Sequence, residues 1–452
     1  MVKEENPAAW RGTIDSLSQD GTGVGTVTVT ADGKEVHRAV FIPYAVPGDE
    51  VEAKITEQRG KYLFGEVVAV IRPSQHRVQP VCPHFGVCGG CDLEHVAYEE
   101  QLRQKARIAE FLIKRRGVAL PHPVATLPSK ERYRYRWRSR IAVRFDAGRV
   151  VAGFRRARSR EIVPVTTCFI VAPEIMGLIT LLNSASYGGP AQELEITAVV
   201  GEHRKLGLLV PLDGVQERKA VKAFFDSLYG EQRKLISILL FLEKGRLKTT
   251  GQVQERITYT AAGYTFSFLP ENFIQANVAT NETLIATALE FAGASLEGVA
   301  LDLYAGIGNL SLPLAKSFGS VIAVEGNKRS CQLGSVNAAR NKAANVLFVN
   351  QSVESYLREY NRRTKKGKGE EAYRVADVIL LDPPRTGCSD AVIEGLLRTE
   401  AERLVYVSCD PVTLARDLAA LQKRYRVADI RCVDMFPDIS HVETVVRLEQ
   451  KE

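Results

Sequence analysis

The chain has 452 residues, a length that predicts two to four domains rather than one. Its apolar content is 45%, its formal net charge is +7, and no stretch approaches 18 consecutive apolar residues. These features predict folded domains and exclude a membrane-spanning helix. Because the chain also opens without a signal-peptide pattern, we expect a soluble, cytoplasmic protein with no membrane partner.

Residues 1–74 are predicted to form a small β-barrel. Short β-branched runs, such as residues 26–30 and 39–42, alternate with turn sequences, among them the Pro-Gly-Asp turn at residues 47–49. Several short strands within about seventy residues are typical of a small barrel, although the composition alone fits any small β module.

Three cysteines lie close together in a glycine-rich loop after the barrel. Cys82, Cys88 and Cys91 are separated by five and two residues, and Cys168 is the best candidate for a fourth ligand. Tight cysteine spacing in a cytoplasmic chain indicates a metal site or catalysis rather than disulfides. Structural zinc, with a histidine as an alternative ligand, and an iron–sulfur cluster both fit this spacing. Either group would tie the loop to the region that ends at Cys168.

An arginine-rich segment follows a charged helix predicted near residues 99–116. Between residues 132 and 160 the chain has eleven arginines, no lysine and one acidic residue. Over residues 132–145, arginine takes nearly every even position, while most odd positions are aromatic or aliphatic. This alternation predicts one β-strand with an apolar face and a face of guanidinium groups. Arginines without a counter-acid suit phosphate oxygens, so this face is expected to bind nucleic acid; the alternative is a solvated strand face.

The C-terminal part of the chain alternates apolar runs with amphipathic segments. The predicted strands are residues 299–303, 321–324, 346–349, 378–381 and 404–407. Near-continuous apolar strands separated by helices predict a parallel sheet that is covered on both faces. We therefore expect a multidomain protein with a barrel (1–74), a central α/β domain (75–285) and a C-terminal, Rossmann-like α/β domain (286–452).

A nucleotide site is predicted where the first of these strands ends. Residues 301–309 run from an apolar strand into a glycine turn, and Glu325 follows the second strand. Glycines let the backbone approach a ligand, and a carboxylate at a strand end can accept hydrogen bonds from ribose hydroxyls. Ser311 stands where the dinucleotide pattern has its third glycine. S-adenosylmethionine is therefore favoured as the ligand, and NAD is the alternative.

Two polar loops follow the fourth and fifth predicted strands. Asp382 begins one loop and Cys409 lies in the other, so both are expected at the sheet edge where ligands bind. Glu443 precedes a late strand, where it is either a partly buried base or a solvated loop acid. A lone cysteine is usually a packing residue, and Cys388, which also follows an apolar strand, is the competing candidate for a nucleophile.

These three groups suit the methylation of uracil at carbon 5. A thiolate such as that of Cys409 can add to carbon 6, which makes carbon 5 nucleophilic toward a sulfonium methyl group. Asp382 can orient the imide, and Glu443 can remove the proton from carbon 5. Because the base must leave its stack to be reached, we expect a flipped or single-stranded RNA target.

Over nearly its whole length, the chain resembles the RNA uracil-5-methyltransferase family. The N-terminal barrel is similar to a TRAM domain, an OB-like RNA-binding module. The resemblance implies a 4Fe-4S cluster on Cys82, Cys88, Cys91 and Cys168 rather than zinc. It also implies that Cys409 is the nucleophile and that Glu443 is the base.

The chain departs from the family's pattern at residues 135–138, where the usual Tyr-Arg-Asn-Lys is Tyr-Arg-Trp-Arg. The resemblance also implies a set of contacts to S-adenosylmethionine. The implied cofactor contacts are Gln275, Tyr304, Asn309, Glu325, Ser352 and Asp382. A barrel together with a cysteine cluster resembles the ribosomal branch of the family, which implies 23S rRNA as the partner, with no obligate protein partner. The alternatives are the same chemistry on tRNA uridine 54, a non-catalytic RNA-binding protein and a nicotinamide-dependent oxidoreductase.

Overall fold

The N-terminal part of the protein is a closed five-stranded barrel. The structure, a computed structural model, describes residues 9–31, 34–146, 148–250, 256–364 and 371–452. The barrel strands are β1 (Ala9–Leu17), β2 (Gly23–Ala31), β3 (Lys34–Ile42), β4 (Glu50–Arg59) and β5 (Tyr62–Arg72). They close in the order β1-β2-β3-β5-β4, so the predicted small barrel is confirmed.

The barrel core is built around one tryptophan. The Trp10 ring packs over Gly12 and Gly25, and a Cβ atom at either glycine would lie within 2.5 Å of the ring. Aliphatic side chains on alternating positions of the other strands complete the core. The barrel is followed by the cysteine-rich loop, by helix α1 (Tyr98–Arg115) and by the short strand β6 (Ala125–Leu127).

A seven-stranded sheet forms the middle of the molecule, in the spatial order β13-β12-β11-β10-β7-β8-β9. The strands are β7 (Arg138–Asp146), β8 (Arg149–Arg155), β9 (Ile162–Val163), β10 (Gln192–Val200), β11 (Leu206–Pro211), β12 (Ile236–Glu243) and β13 (Arg246–Thr249). Helices α2 (Pro173–Ser184) and α3 (Arg218–Glu231) pack against this sheet through one shared apolar core.

A hairpin and a helix lead from this sheet into the C-terminal one. The hairpin strands are β14 (Ile257–Ala261) and β15 (Tyr264–Phe268), and the helix is α4 (Val278–Ala292). The strands that follow are β16 (Ser295–Leu303), β17 (Phe318–Glu325), β18 (Val346–Asn350), β19 (Val378–Leu381), β20 (Arg403–Ser408), β21 (Tyr425–Val433) and β22 (Glu443–Gln450). The helices between them are α5 (Ser311–Leu314), α6 (Lys328–Arg340), α7 (Val353–Thr364), α8 (Asp390–Leu397) and α9 (Pro411–Leu421), with a 3-10 turn at Glu371–Tyr373.

The C-terminal sheet has eight strands in the order β18-β17-β16-β19-β20-β22-β21-β6. The five strands from β18 to β20 are parallel, as predicted, and β22 inserts antiparallel between β20 and β21. Leu301 and Leu303 belong to one apolar core and Ala300 to another, so both faces of the sheet are covered.

The segment that follows the cysteine loop also belongs to this C-terminal sheet. Helix α1 packs on α9, and β6 pairs in parallel with β21 at the sheet edge. Residues 98–127 therefore precede the central sheet in the chain but contact the C-terminal sheet in space. None of the helices in the described ranges is long and apolar enough to cross a membrane.

The arginine-rich segment is not one continuous strand, so that part of its prediction was wrong. Strand β7 begins only at Arg138, and residues 132–137 form an irregular segment in which Arg134 has a φ of 55°. The predicted apolar face is confirmed within β7, where Ile141, Val143 and Phe145 are buried in the central core, whereas Tyr133 is exposed. Backbone pairing with other segments overrides the local alternation in the first six residues.

The expected absence of acids beside these arginines was also wrong. Arg132 pairs with Asp438 at 2.8 Å, and Arg144 lies 3.3 Å from Asp146. Arg138 is buried, donates to two backbone carbonyls, and has a pKa lowered to about 10 by that burial. Most of these partners come from distant parts of the chain, which a local pattern does not contain.

Candidate active site

A cleft of about 460 Å³ opens beyond the carboxyl end of β20, next to Cys409. It lies between the C-terminal sheet and the barrel. The turn after β1 forms one wall, and Gln19 Nε2 donates to Asp410 Oδ2 at 3.1 Å. The lining side chains include Ser18, Gln19, Asp92, Arg385, Cys409, Asp410, Ser440 and His441. The predicted nucleophile is therefore accessible from a cleft that two parts of the fold enclose.

The register of the C-terminal sheet brings the predicted nucleophile and base together. Ser408 of β20 pairs with Thr444 of β22, so Cys409 and Glu443 lie side by side at the end of that strand pair. Glu443 is 4% exposed, and its Oε2 is buried without a hydrogen-bond partner in the described ranges. An unpaired buried carboxylate oxygen is costly, and such groups are found at functional sites.

Burial and mutual repulsion govern the protonation of this group of side chains. Burial raises the pKa of Glu443, and the nearby Asp382 carboxylate raises it further. Burial also raises the pKa of Asp382. The Cys409 pKa is raised to about 12 by burial and by these two carboxylates, whereas the Arg385 cation lowers it. Arg385 is thus the cation that favours the thiolate form of Cys409.

The competing cysteines lie outside the cleft lining. Cys388 is buried, its thiol lies 3.6 Å from the Tyr406 hydroxyl, and burial raises its pKa to about 12. Cys331 is buried within α6, and Cys432 is buried within β21. All three have the surroundings of packing residues, as predicted for Cys331 and Cys432.

The glycine turn after β16 and the end of β17 form a second polar site on the same sheet edge. Tyr304, Gly306 and Gly308 have positive φ angles of 64°, 57° and 100°. Glu325 accepts hydrogen bonds from the Gly306 amide at 2.8 Å and from the Asn327 amide at 2.6 Å. This carboxylate therefore lies against the glycine turn, where a ribose could replace those donors.

The remaining predicted cofactor residues differ in their surroundings. Ser352 is exposed two residues after β18, beside the end of β17. The Asn309 side chain is engaged by Asn281 and by the Tyr259 hydroxyl. Gln275 is 6% exposed and lies between β15 and α4. Glu325 and Ser352 thus lie near the glycine turn, whereas the Asn309 side chain is hydrogen-bonded to other side chains of the protein.

The four predicted cluster cysteines line one pocket. Cys82, Cys88 and Cys91 come from the glycine-rich loop, and Cys168 comes from the segment before α2. Burial raises the pKa of all four thiols, and neighbouring cysteines raise the pKa of Cys82, Cys88 and Cys91 further. Within the described ranges, no set of three or more His, Cys, Asp or Glu side chains is arranged to hold a single metal ion.

Several cleft residues were not identified as site residues from the sequence. Arg385 and His441 belong to the loops that carry Asp382 and Glu443, so their proximity to those residues was a usable clue. No such clue in the sequence pointed to Gln19 or Asp92, because each approaches the cleft from a distant part of the chain. Asp302 lies buried beneath the glycine turn, accepts from Ser311 Oγ at 2.5 Å, and has a pKa raised to about 7 by burial.

Comparisons with known proteins agree with this geometry. Residues 218–451 match the family described as tRNA (Uracil-5-)-methyltransferase, and residues 13–68 match the TRAM domain. The chain is 32% identical to the 23S rRNA (uracil(1939)-C(5))-methyltransferase RlmD of Vibrio cholerae serotype O1, over 97% of this chain and 95% of that protein. The protein of the same name from Pectobacterium atrosepticum is also 32% identical, over 96% of this chain and 92% of its own length.

A solved structure has a related fold. The Pyrococcus abyssi tRNA (uracil-54, C5)-methyltransferase in complex with S-adenosyl-L-homocysteine superposes with a TM-score of 0.67, covering 97% of this chain and all of that one. Its sequence is 21% identical to this chain, so the similarity concerns the fold. The barrel, the central sheet and the C-terminal sheet thus occur together in a known architecture.

Proposed function

Because this chain belongs to the tRNA (uracil-5-)-methyltransferase family and is an RNA uracil-5-methyltransferase, we propose that it methylates a uridine of 23S rRNA through a covalent cysteine adduct. The observation that carries the proposal is the side-by-side placement of Cys409 and Glu443 beside the cleft. Carbons 5 and 6 of uracil are bonded neighbours, so a nucleophile and a base in adjacent positions can serve both atoms of one ring.

The residues of the cleft have separate roles in this reaction. S-adenosylmethionine supplies the methyl group as a sulfonium. The Cys409 thiolate adds to carbon 6 and shifts an electron pair to carbon 5, which accepts the methyl group. Glu443 then takes the proton from carbon 5, the C6–Sγ bond breaks, and the double bond re-forms. Asp382 accepts a hydrogen bond from the uracil imide and holds the ring in plane.

The cofactor roles proposed for this chain follow the second polar site. Glu325 would accept hydrogen bonds from the ribose hydroxyls, and Ser352 lies beside it near the adenine position. Tyr304 would stack on the adenosine, Asn309 would contact the cofactor from the glycine turn, and Gln275 would be a further cofactor ligand. A test of this assignment is the binding of S-adenosylhomocysteine to alanine variants of these residues.

The catalytic proposal is tested by tritium release from RNA that carries 5-tritiated uridine. Release that depends on S-adenosylmethionine is expected, because methylation replaces the hydrogen on carbon 5. RNA with 5-fluorouridine should instead give a denaturation-stable adduct with Cys409. After methylation, carbon 5 of this adduct has no proton that a base can remove, so the C6–Sγ bond is not broken. No release from native rRNA or tRNA would reject the enzyme proposal and favour a non-catalytic RNA-binding protein.

The 23S rRNA assignment rests on relatives at 32% identity over almost the whole chain. Mapping of 5-methyluridine in rRNA and tRNA from a deletion strain tests it directly. Loss of one 23S rRNA modification is expected. Loss of the modification at tRNA uridine 54 with intact rRNA would instead assign the same chemistry to tRNA.

The four-cysteine pocket is proposed to hold a 4Fe-4S cluster. Four thiols converge there, and burial disfavours their bare thiolates, so a cationic group is needed to stabilise the ionised form. A single structural zinc ion with four sulfur ligands is the alternative group for this pocket.

Metal analysis of anaerobically purified protein tests this assignment. About four iron atoms per chain and visible absorption are expected, and both should be lost in Cys168→Ala. Cys331→Ala is the matched control, because that cysteine is packed inside α6. One zinc ion per chain without iron would reject the cluster.

A further inference from the structure

We propose that Asp92 is a positioning residue for Glu443, because its carboxylate holds the backbone segment that leads to this base. The inference rests on the function proposed above. Asp92 lies in the glycine-rich loop, directly after Cys91, and it lines the catalytic cleft. It therefore connects the four-cysteine loop to the catalytic segment.

Both oxygens of the Asp92 carboxylate bind one residue of that segment. Oδ1 accepts from the Ser440 amide at 2.7 Å, and Oδ2 accepts from the Ser440 hydroxyl at 2.8 Å. Two charge-assisted hydrogen bonds to one residue fix both its position and its orientation. Only two residues separate Ser440 from Glu443, so this attachment lies close to the proposed base.

The same loop holds the segment at a second point. The amides of Asp92 and Leu93 both donate to the Asp438 carbonyl, at 3.2 and 3.0 Å. Gln101 exchanges two hydrogen bonds with Asp438, each 2.9 Å long. Asp438 has a φ of 64°, a strained conformation that persists only where surrounding contacts enforce it. The cysteine loop and α1 thus determine the path of residues 438–440.

Glu443 depends on its backbone for orientation. Its Oε2 has no hydrogen-bond partner in the described ranges, so no hydrogen bond to this oxygen would correct a displaced main chain. The segment is held at its far end by the pairing of β22 with β20 and β21. The near end is held by Asp92 through Ser440, so loss of that contact should displace the carboxylate from the carbon 5 proton.

The expected consequence concerns one step of the reaction. A displaced Glu443 leaves Cys409 able to add to carbon 6 and leaves methyl transfer possible. Proton removal from carbon 5 slows, and the C6–Sγ bond remains unbroken. A displacement of about 1 Å can lower the rate of such a step about a hundredfold. A general loss of folding would instead reduce adduct formation and product formation together.

The test compares Asp92→Ala, Asp92→Asn and the control Glu99→Ala in full-length, cluster-loaded protein. Glu99 is an exposed acid seven residues further along, in the first turn of α1. With unmodified RNA and S-adenosylmethionine, Asp92→Ala is expected to accumulate the methylated covalent adduct and to release tritium about a hundredfold more slowly. Asp92→Asn should restore most of the rate, since its amide can accept from the Ser440 amide and donate to the Ser440 hydroxyl.

Hydrogen exchange of residues 438–443 provides a readout that does not require activity. Faster exchange in Asp92→Ala, with normal iron content and S-adenosylmethionine binding, supports the proposal. The proposal is overturned if Asp92→Ala releases tritium at the wild-type rate and accumulates no adduct. Unchanged hydrogen exchange of residues 438–443 in this variant would also overturn it. If the wild-type protein releases no tritium, the proposed function fails, and the exchange result still decides whether Asp92 positions the segment.

Discussion

The Arg385 guanidinium lies 2.9 Å from Nδ1 of His441, a ring that burial and the adjacent cation keep neutral by lowering its pKa to about 4. A neutral imidazole can accept a hydrogen bond from Arg385 without cancelling its charge. The positive charge therefore remains available to the two proposed catalytic anions, Cys409 and Glu443, whose pKa values it lowers. His441 orients the Arg385 cation, which offsets part of the rise that burial causes in the pKa values of Cys409 and Glu443.

Removal of this charge should shift the pH dependence of the reaction. In Arg385→Gln, the pKa values of Cys409 and Glu443 should rise, because both lose a cation that stabilises their charged forms. Since both act as anions, kcat/KM should fall near neutral pH and recover in alkali, with the rising limb displaced upward by about one pH unit. Arg398→Gln, an exposed change directly after α8, is the control. An identical pH profile in Arg385→Gln would contradict this electrostatic role.

The identity of the nucleophile can be separated from general cysteine effects. Cys409→Ala should abolish both tritium release and the adduct with 5-fluorouridine RNA, because no other cysteine in the described part of the chain lines the cleft. Cys388→Ala should retain activity and lose only some stability, since that thiol is buried against Tyr406. Rates and adduct yields measured side by side decide the assignment. Activity in the first variant and none in the second would transfer the role to Cys388.

The carboxylate at the end of β17 should contribute to cofactor affinity. Glu325→Ala removes an acceptor that suits ribose hydroxyls and also frees the Gly306 amide. Hydrogen bonds to a charged group contribute about 1.5–3 kcal/mol, so the Kd for S-adenosylhomocysteine should rise roughly tenfold to a hundredfold. Isothermal titration calorimetry measures this change. Glu297→Ala, an exposed change on β16, is the control and should leave the Kd unchanged. Equal Kd values in the two variants would show that Glu325 does not belong to the cofactor site.

A buried ion pair joins α1 to the segment before the base. Lys105 and Asp434 lie 2.5 Å apart with side chains 1% and 0% exposed, and the Tyr98 hydroxyl also donates to Asp434. Lys105→Met should leave Asp434 buried without its cation, a loss that typically costs about 3–5 kcal/mol. Lys114→Met, in an exposed pair on the same helix, should cost under about 1 kcal/mol. Urea denaturation compares the two, and equal losses would contradict the argument.

Much of the fold could be predicted because local patterns report burial. Continuous apolar runs identified the five parallel strands, and turns between β-branched runs identified the barrel. Motifs that directly follow such strands must lie at one edge of the sheet, so Asp382, Cys409 and Glu325 could be assigned to that edge in advance. This approach failed for the arginine-rich segment. The backbone of its first half pairs with distant segments, and Arg132 pairs with a distant acid, Asp438.

The sequence by itself determined which chemical groups the protein has and at which ends of its strands they lie. Only the tertiary structure decided which of them meet. The antiparallel insertion of β22 beside β20 brings Cys409 and Glu443 together, and chain folding brings Asp92 to Ser440 across 348 residues. Gln19 likewise reaches Asp410 from 391 residues away. Strand periodicity follows from local backbone geometry, whereas strand order and long-range side-chain contacts follow from how the separate layers pack.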